Sequence, residues 1–154
     1  MGSMFSVAGE VAGGQRLLNI LHVEDDEIDV EAFSRGMRDC SFEHRLHHAC
    51  DGRVALDMLR GVNGQAMVDK PRIVLLDLNM PRMSGFEFLE EVSRDESLRS
   101  LVVFVLSTST RDLDIARSYR HGIAGYIGKD ALARNFMPLL ALLDSYNRLV
   151  SLPA

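Results

Sequence analysis

Tryptophan is absent from the 154 residues, and cysteine occurs only twice. Cys40 and Cys50 do not form a CxxC pair, so free thiols in a reducing, cytoplasmic setting are expected rather than a disulfide framework. Cationic excess is lacking too: 22 acidic side chains stand against 17 basic ones, a net charge of -5. That argues against nucleic acid as the direct ligand, because phosphate backbones call for a basic patch. No apolar run is long enough to span a membrane, and no membrane partner is expected. The first fifteen residues carry no secretory hydrophobic core. Low-complexity runs and internal repeats are missing, as is the glycine-rich lysine motif of P-loop nucleotide hydrolases.

What is present suits one globular domain. Hydrophobic residues make up 47% and charged residues 25%, and the length allows a core of ordinary size. Strand and helix patterns alternate five times. Leu17 to Val23 reads as a strand, followed by helical periodicity from Ile28 to Arg38 with Ile28, Ala32, Phe33 and Met37 on one face. His44 to Ala49 is a more polar strand, placed at a sheet edge. Asp51 caps a helix over Gly52–Arg60. After a loop to Pro71, Arg72 to Leu76 is apolar enough for a strand buried on both faces. Ser84 and Glu87 have capping-box spacing and open a helix to Arg94. Leu101–Leu106 and Ile123–Ile127 are further strands on either side of a helix over Asp112–Arg120. A last helix runs from the early 130s to Val150, with Pro138 tolerable only near its first turn. This alternation predicts an α/β fold, a parallel sheet with helices on both faces.

The polar residues that follow the strands carry the chemistry. Strand one ends in Glu24 and Asp25, strand three in Asp77, strand four in Ser107 and strand five in Lys129. In a parallel sheet these ends share one rim, where open α/β sheets place ligands. Three carboxylates there repel one another, so either some stay protonated or a cation joins them. Oxygen ligands without His or Cys select a hard ion, Mg²⁺. A carboxylate in such a site can attack phosphorus and form an aspartyl phosphate. An ammonium and a hydroxyl would then hold the phosphoryl oxygens.

Five elements together resemble the CheY-like receiver domain of two-component response regulators. They are Val23-Glu24-Asp25-Asp26, Leu75 to Pro81, Ser84-Gly85, Val105 to Ser109, and Tyr126-Ile127-Gly128-Lys129. The likeness covers Leu17 to Val150. It is strongest to the short stand-alone regulators associated with phytochrome histidine kinases. The resemblance implies a flavodoxin-like, doubly wound five-stranded parallel sheet of order 2-1-3-4-5 with five helices. It implies Asp77 as phosphoacceptor, Glu24 and Asp25 as the acidic pair, and Asp25 as a direct Mg²⁺ ligand. Asn79 would offer its main-chain carbonyl to the metal. Ser107 would be the switch hydroxyl, Tyr126 the aromatic that follows it inward, and Lys129 the partner of the phosphate. The expected donor is a sensor histidine kinase, of phytochrome type by this likeness, or a phosphotransfer protein. The domain is expected to signal by protein–protein contact without an attached output domain, and to be no enzyme beyond its own phosphorylation and dephosphorylation.

One departure stands out: Asp130 follows the lysine where the family usually has a cis-bonded proline. A trans bond is expected, since a non-proline cis bond costs about 2.5–4 kcal/mol, and Asp130 is a candidate competitor for the ammonium. The rival function is a phosphohydrolase of the haloacid dehalogenase type, which also uses an aspartyl nucleophile and Mg²⁺. That class wants Asp-x-Asp after its first strand, and here the motif reads Asp77-Leu78-Asn79 after the third. His47 and His48 point to opposite faces of a strand, so His44, His47 and His48 are not read as a metal site. His22 is read as a hydrogen-bonded core residue. The last helix carries two apolar stripes. Phe136, Leu140, Leu143 and Val150 suffice to cover the sheet, while Leu139, Leu142, Tyr146 and Leu149 suggest a homodimer interface. The domain is expected over residues 16–150, after a disordered or vector-derived segment 1–15 and before a tail at 151–154.

Overall fold

The computed structural model describes residues 17–132 and 135–154. The expectation for segment 1–15 lies outside the described residues. The strands are β1 (Leu18–Val23), β2 (His44–Ala49), β3 (Arg72–Leu76), β4 (Val102–Ser107) and β5 (Gly125–Gly128). The helices are α1 (Glu27–Arg38), α2 (Gly52–Arg60), α3 (Gly85–Arg94), α4 (Asp112–Arg120), α5 (Lys129–Leu132) and α6 (Met137–Leu149). All strand pairs are parallel and the order is β2-β1-β3-β4-β5. The expected fold and strand order are therefore present, with the polar β2 at an edge.

Side chains alternate across β3. Ile73 and Leu75 join Leu18, Ile20, Phe33, Met37, Phe104 and Leu143 in a core under α1 and α6. Val74 and Leu76 join Leu21, Val23, Leu56, Leu59, Phe88 and Leu89 in a second core under α2 and α3. A period of two on a strand covered on both faces gives this division. It is why the run from Ile73 to Leu76 holds no polar residue.

Local signals set the helix ends. The Asp26 side chain accepts from the backbone N–H groups of Ile28 and Asp29, so α1 starts there. Ser84 and Glu87 exchange side-chain and backbone bonds at 3.2 and 2.9 Å, the expected capping box. Gly61 closes α2 at φ 69°, a left-handed position that favours glycine.

The structure corrects the sequence reading at three places. Ile28 is 74% exposed, so α1 buries only Phe33 and Met37 fully. Among the described residues the short α5 is followed by α6, so the last of the five long helices starts at Met137 rather than in the early 130s. Pro138 lies in the first turn of α6, where its missing N–H is tolerated. The β5 strand is shorter than expected, Gly125–Gly128. In the tail at 151–154, Leu152 is buried against the α6 core and the Ala154 carbonyl accepts from Lys70 Nζ at 3.2 Å.

Candidate phosphoryl-transfer site

Register brings the rim together. Val23 pairs with Leu76, and the Asp77 N–H donates to the Val23 carbonyl at 3.0 Å. The Glu24 N–H donates to the Ala49 carbonyl at 3.0 Å. Glu24 and Asp77 are thus the first residues past two adjacent strand ends. Ser107 pairs with Gly128, which places Lys129 one residue past the end of β5. Gly85 allows the loop after Asp77 to close on α3. A Cβ there would lie 2.6 Å from the Asp77 carbonyl oxygen and 2.7 Å from Leu78 Cα, so any side chain would displace the backbone that carries Asp77.

Glu24, Asp25 and Asp77 each bring one carboxylate oxygen within 4.8 Å of the others. Glu24 is buried, Asp77 is buried and Asp25 is exposed. Burial pushes the Asp77 carboxyl up to about 7, and the Glu24 carboxylate adds to it; the Lys129 ammonium and the Asn79 N–H pull the other way. Burial also holds Glu24 above its ordinary value, against the Lys129 ammonium and the Asp26 N–H. Burial alone would lower Lys129, but hydrogen bonds to Asp29 and Glu24 outweigh it and hold the ammonium well above its usual range. Both carboxyls are raised first by burial, and at Asp77 the Glu24 carboxylate adds to it, so a bound cation would favour their charged forms. Three carboxylate oxygens with no nitrogen or sulfur donor fit a hard divalent cation.

Lys129 Nζ donates to Glu24 Oε1 at 2.7 Å and to Asp29 Oδ2 at 2.8 Å, and lies 3.8 Å from Asp77 Oδ1. The competitor for this ammonium is Asp29, not Asp130. Among the described residues the only cis peptide is Lys70–Pro71, so the Lys129–Asp130 bond is trans as expected. Asn79 is exposed two residues after Asp77.

Ser107 and Tyr126 form a neighbouring group. Ser107 is fully buried, and its Oγ accepts from the Ser109 N–H at 3.1 Å. The Tyr126 hydroxyl donates to the Ser109 carbonyl at 2.9 Å, and the Tyr126 N–H donates to the Tyr119 hydroxyl at 3.2 Å. Ser109 Oγ donates to Asp114 at 2.6 Å, tying the start of α4 to the same loop. Sequence reasoning missed Arg82, which pairs with the buried Asp51 and ties the loop after Asp77 to the cap of α2.

The histidines go to separate partners. His47 Nε2 lies 3.0 Å from Asn19 Oδ1, His48 Nε2 lies 2.7 Å from the Glu24 carbonyl, and His44 Nδ1 lies 3.0 Å from the Phe42 carbonyl. His22 packs on Phe33 with ring centroids 4.8 Å apart, and burial drives it down to about 3. The proposed interface stripe is divided. Leu139 is in the core and Tyr146 stands edge-on to Phe104 at 5.2 Å, whereas Leu142 and Leu149 are exposed. Leu139 is therefore not available to an interface, whereas Tyr146 is half-buried.

Residues 20–140 match the response regulator receiver domain family. The chain is 37% identical over 122 residues to the probable methanogenesis regulatory protein FilR2 of Methanothrix harundinacea, covering 79% of this chain and 78% of that protein. The crystal structure of the phosphorylated cyanobacterial phytochrome response regulator RcpA superposes with a TM-score of 0.80 at 29% identity, covering 90% of this chain and 100% of that one. The Mn²⁺-bound form of response regulator Rcp1, a protein of Synechocystis, gives 0.70 at 28% identity, covering 88% and 99%. With the strand order, the acidic trio and the lysine already in place, these likenesses agree: the chain belongs to the response regulator receiver domain family.

Proposed function

We propose that this receiver domain takes a phosphoryl group onto Asp77 from the phosphohistidine of a histidine kinase or phosphotransfer protein, in a Mg²⁺-dependent reaction in the cytoplasm. One observation carries the reading: the gathering of the Glu24, Asp25 and Asp77 carboxylates, with the Lys129 ammonium 3.8 Å from Asp77. Glu24, Asp25, Asp77 and the Asn79 main-chain carbonyl would hold the cation. When bound, it would neutralise the carboxylates and the oxygens of the transferred group. An Asp77 oxygen attacks phosphorus, the P–N bond of the donor breaks, and the acyl phosphate forms. Lys129 pairs with the phosphoryl oxygens. The Ser107 hydroxyl, which in the resting protein only accepts from Ser109, keeps its own proton to donate to them. Tyr126 would leave the Ser109 carbonyl as that loop moves, passing the change to the surface of α4 and β5.

Support comes from the relatives, since RcpA is described as phosphorylated and Rcp1 as Mn²⁺-bound. RcpA's description as a phytochrome response regulator favours a kinase of phytochrome type as donor. The phosphorylated domain signals by contact with another protein or with a second copy, through a face that joins α6 to a neighbouring element, and turns over no substrate besides its own phosphoryl group. The haloacid dehalogenase-type alternative finds no support: the relatives are response regulators, and the aspartate follows β3.

Incubation with Mg²⁺ and a small phosphodonor should label Asp77 as an acid-stable, base-labile acyl phosphate. Asp77→Asn should abolish the label while leaving the fold intact, because the side chains are isosteric. Label that survives in that variant removes Asp77 from the role.

A further inference from the structure

Lys129 is held from two sides. Glu24 and Asp29 accept from its ammonium at 2.7 and 2.8 Å, while Asp77 stands off at 3.8 Å. An ammonium has three N–H groups. Two are taken up, and the third remains for the Asp77 side. Little else fixes this long, flexible side chain. Lys129 begins α5, a helix of one turn, and its ion pairs run to Glu24, Asp29 and Asp77 rather than to the adjacent Asp130.

Asp29 is mounted differently. It is the third residue of α1, a helix fixed at its start by the Asp26 cap and anchored by the buried Phe33 and Met37. Its carboxylate is thus carried on a fixed helix and faces a cation at the end of a long side chain. With Glu24 as the sole anchor, the ammonium could swing about one bond or close onto Asp77 itself. A closer pair with Asp77 would occupy the lone pairs that must attack phosphorus.

We infer that Asp29 is a positioning residue for phosphoryl transfer, holding the Lys129 ammonium off Asp77 with one N–H left for the incoming phosphoryl oxygens. This rests on Asp77 as the phosphoacceptor. A purely electrostatic role for Asp29 has the opposite sign, because deleting a negative charge beside an incoming phosphate speeds its approach.

The test compares the full chain with Asp29→Asn and Asp29→Glu, using acetyl phosphate at saturating Mg²⁺. Asp29→Asn should phosphorylate about tenfold more slowly, the scale of a misplaced charged group. Asp29→Glu, with a longer arm from the same helix position, should return the rate to within about threefold of the parent. A readout independent of turnover is the ¹⁵N signal of the Lys129 ammonium in cold buffer. It should be sharp in the parent and in Asp29→Glu, and broadened by solvent exchange in Asp29→Asn. An equal or faster rate in Asp29→Asn overturns the inference, as does a slower rate with an unmoved ammonium signal. If label is lost in Asp77→Asn but unchanged in Asp29→Asn, only this inference fails. If the parent takes no label, the phosphoacceptor reading fails and the inference with it.

Discussion

In metal-free buffer, replacing Asp77 by Asn should make the protein more stable. The Asp77 side chain is 9% exposed, and it holds its proton to about 7 instead of the ordinary 3.8, first through burial and then through Glu24. Between those values the unfolded chain has lost the proton and the native state still binds it. Stability therefore falls as pH rises through that window, and the loss is complete above about pH 7. At face value the difference is a ceiling of about 4 kcal/mol. Solvent at the rim screens the charge, so about half that, roughly 2 kcal/mol, is expected. Asparagine keeps the shape and carries no charge to repel Glu24. The lost contact with Lys129 matters little, because the ammonium keeps Glu24 and Asp29. Lys129 adds no slope here: its folded proton affinity is raised, so its contribution is fully present below its ordinary 10.5. Urea unfolding followed by circular dichroism in EDTA should put Asp77→Asn ahead by about 2 kcal/mol at about pH 8, with the gap closing to a few tenths near pH 4. A variant that is equally or less stable at the higher pH, or a gap that ignores pH, would refute the account of a strained anion cluster.

Mg²⁺ should raise the melting temperature of the parent, by about 2.7 kcal/mol of stabilisation at a hundredfold excess over its dissociation constant. Asp25→Ala, which removes an exposed carboxylate of the trio, should lose most of that gain; an undiminished shift would place the metal elsewhere. Light scattering at micromolar concentration, with beryllofluoride as phosphoryl mimic, should show a dimer that Leu142→Arg and Leu149→Arg reduce to monomer. Both side chains are exposed, at 39% and 84%, so the fold should persist, and a parent that is monomeric with and without the mimic ends the dimer proposal.

The centre of the sheet was legible because β3 and β4 are buried on both faces, and Ile73 to Leu76 and Val102 to Leu106 read as unbroken apolar runs with no helical period. Helix starts were legible where a side chain caps the backbone at Asp51 and Ser84; the Asp26 cap of α1 was hidden in a run of four acids. The start of the last helix was placed too early, although Pro138 had marked its first turn. Ile28 was misplaced because only its spacing to Ala32 puts it on a shared face; at about 100° per residue it lies roughly 140° from Phe33 and roughly 180° from Met37, on the side of α1 away from the core.

The site divides along the same line. Glu24, Asp25, Asp77 and Lys129 were legible because each follows a strand, and strand ends in a parallel sheet share a rim. Asp29 was not, because it sits inside a helix among acids that all suit a helix start. Its signal was phase. Side chains lean toward the helix amino end, so a residue one turn into α1 reaches back over the rim. Arg82 carried no such signal, since its partner Asp51 lies 31 residues away on another loop. The apolar stripes of α6 failed for a different reason. Leu139, Leu140 and Leu143 are all buried and Tyr146 meets Phe104, so the sheet takes a wider arc of that helix than one stripe. A dimer through α6 is left with Leu142 and Leu149 beside the exposed Met137 and Val150, a few side chains where a stable interface takes about 20–30 residues a side. Any stable association must recruit a neighbouring element. The exposed Leu113 and Tyr119 of α4 qualify, and Tyr119 is the residue whose hydroxyl receives the Tyr126 N–H. Dimerisation that depends on α4 would therefore respond to phosphorylation, whereas dimerisation through α6 alone would not.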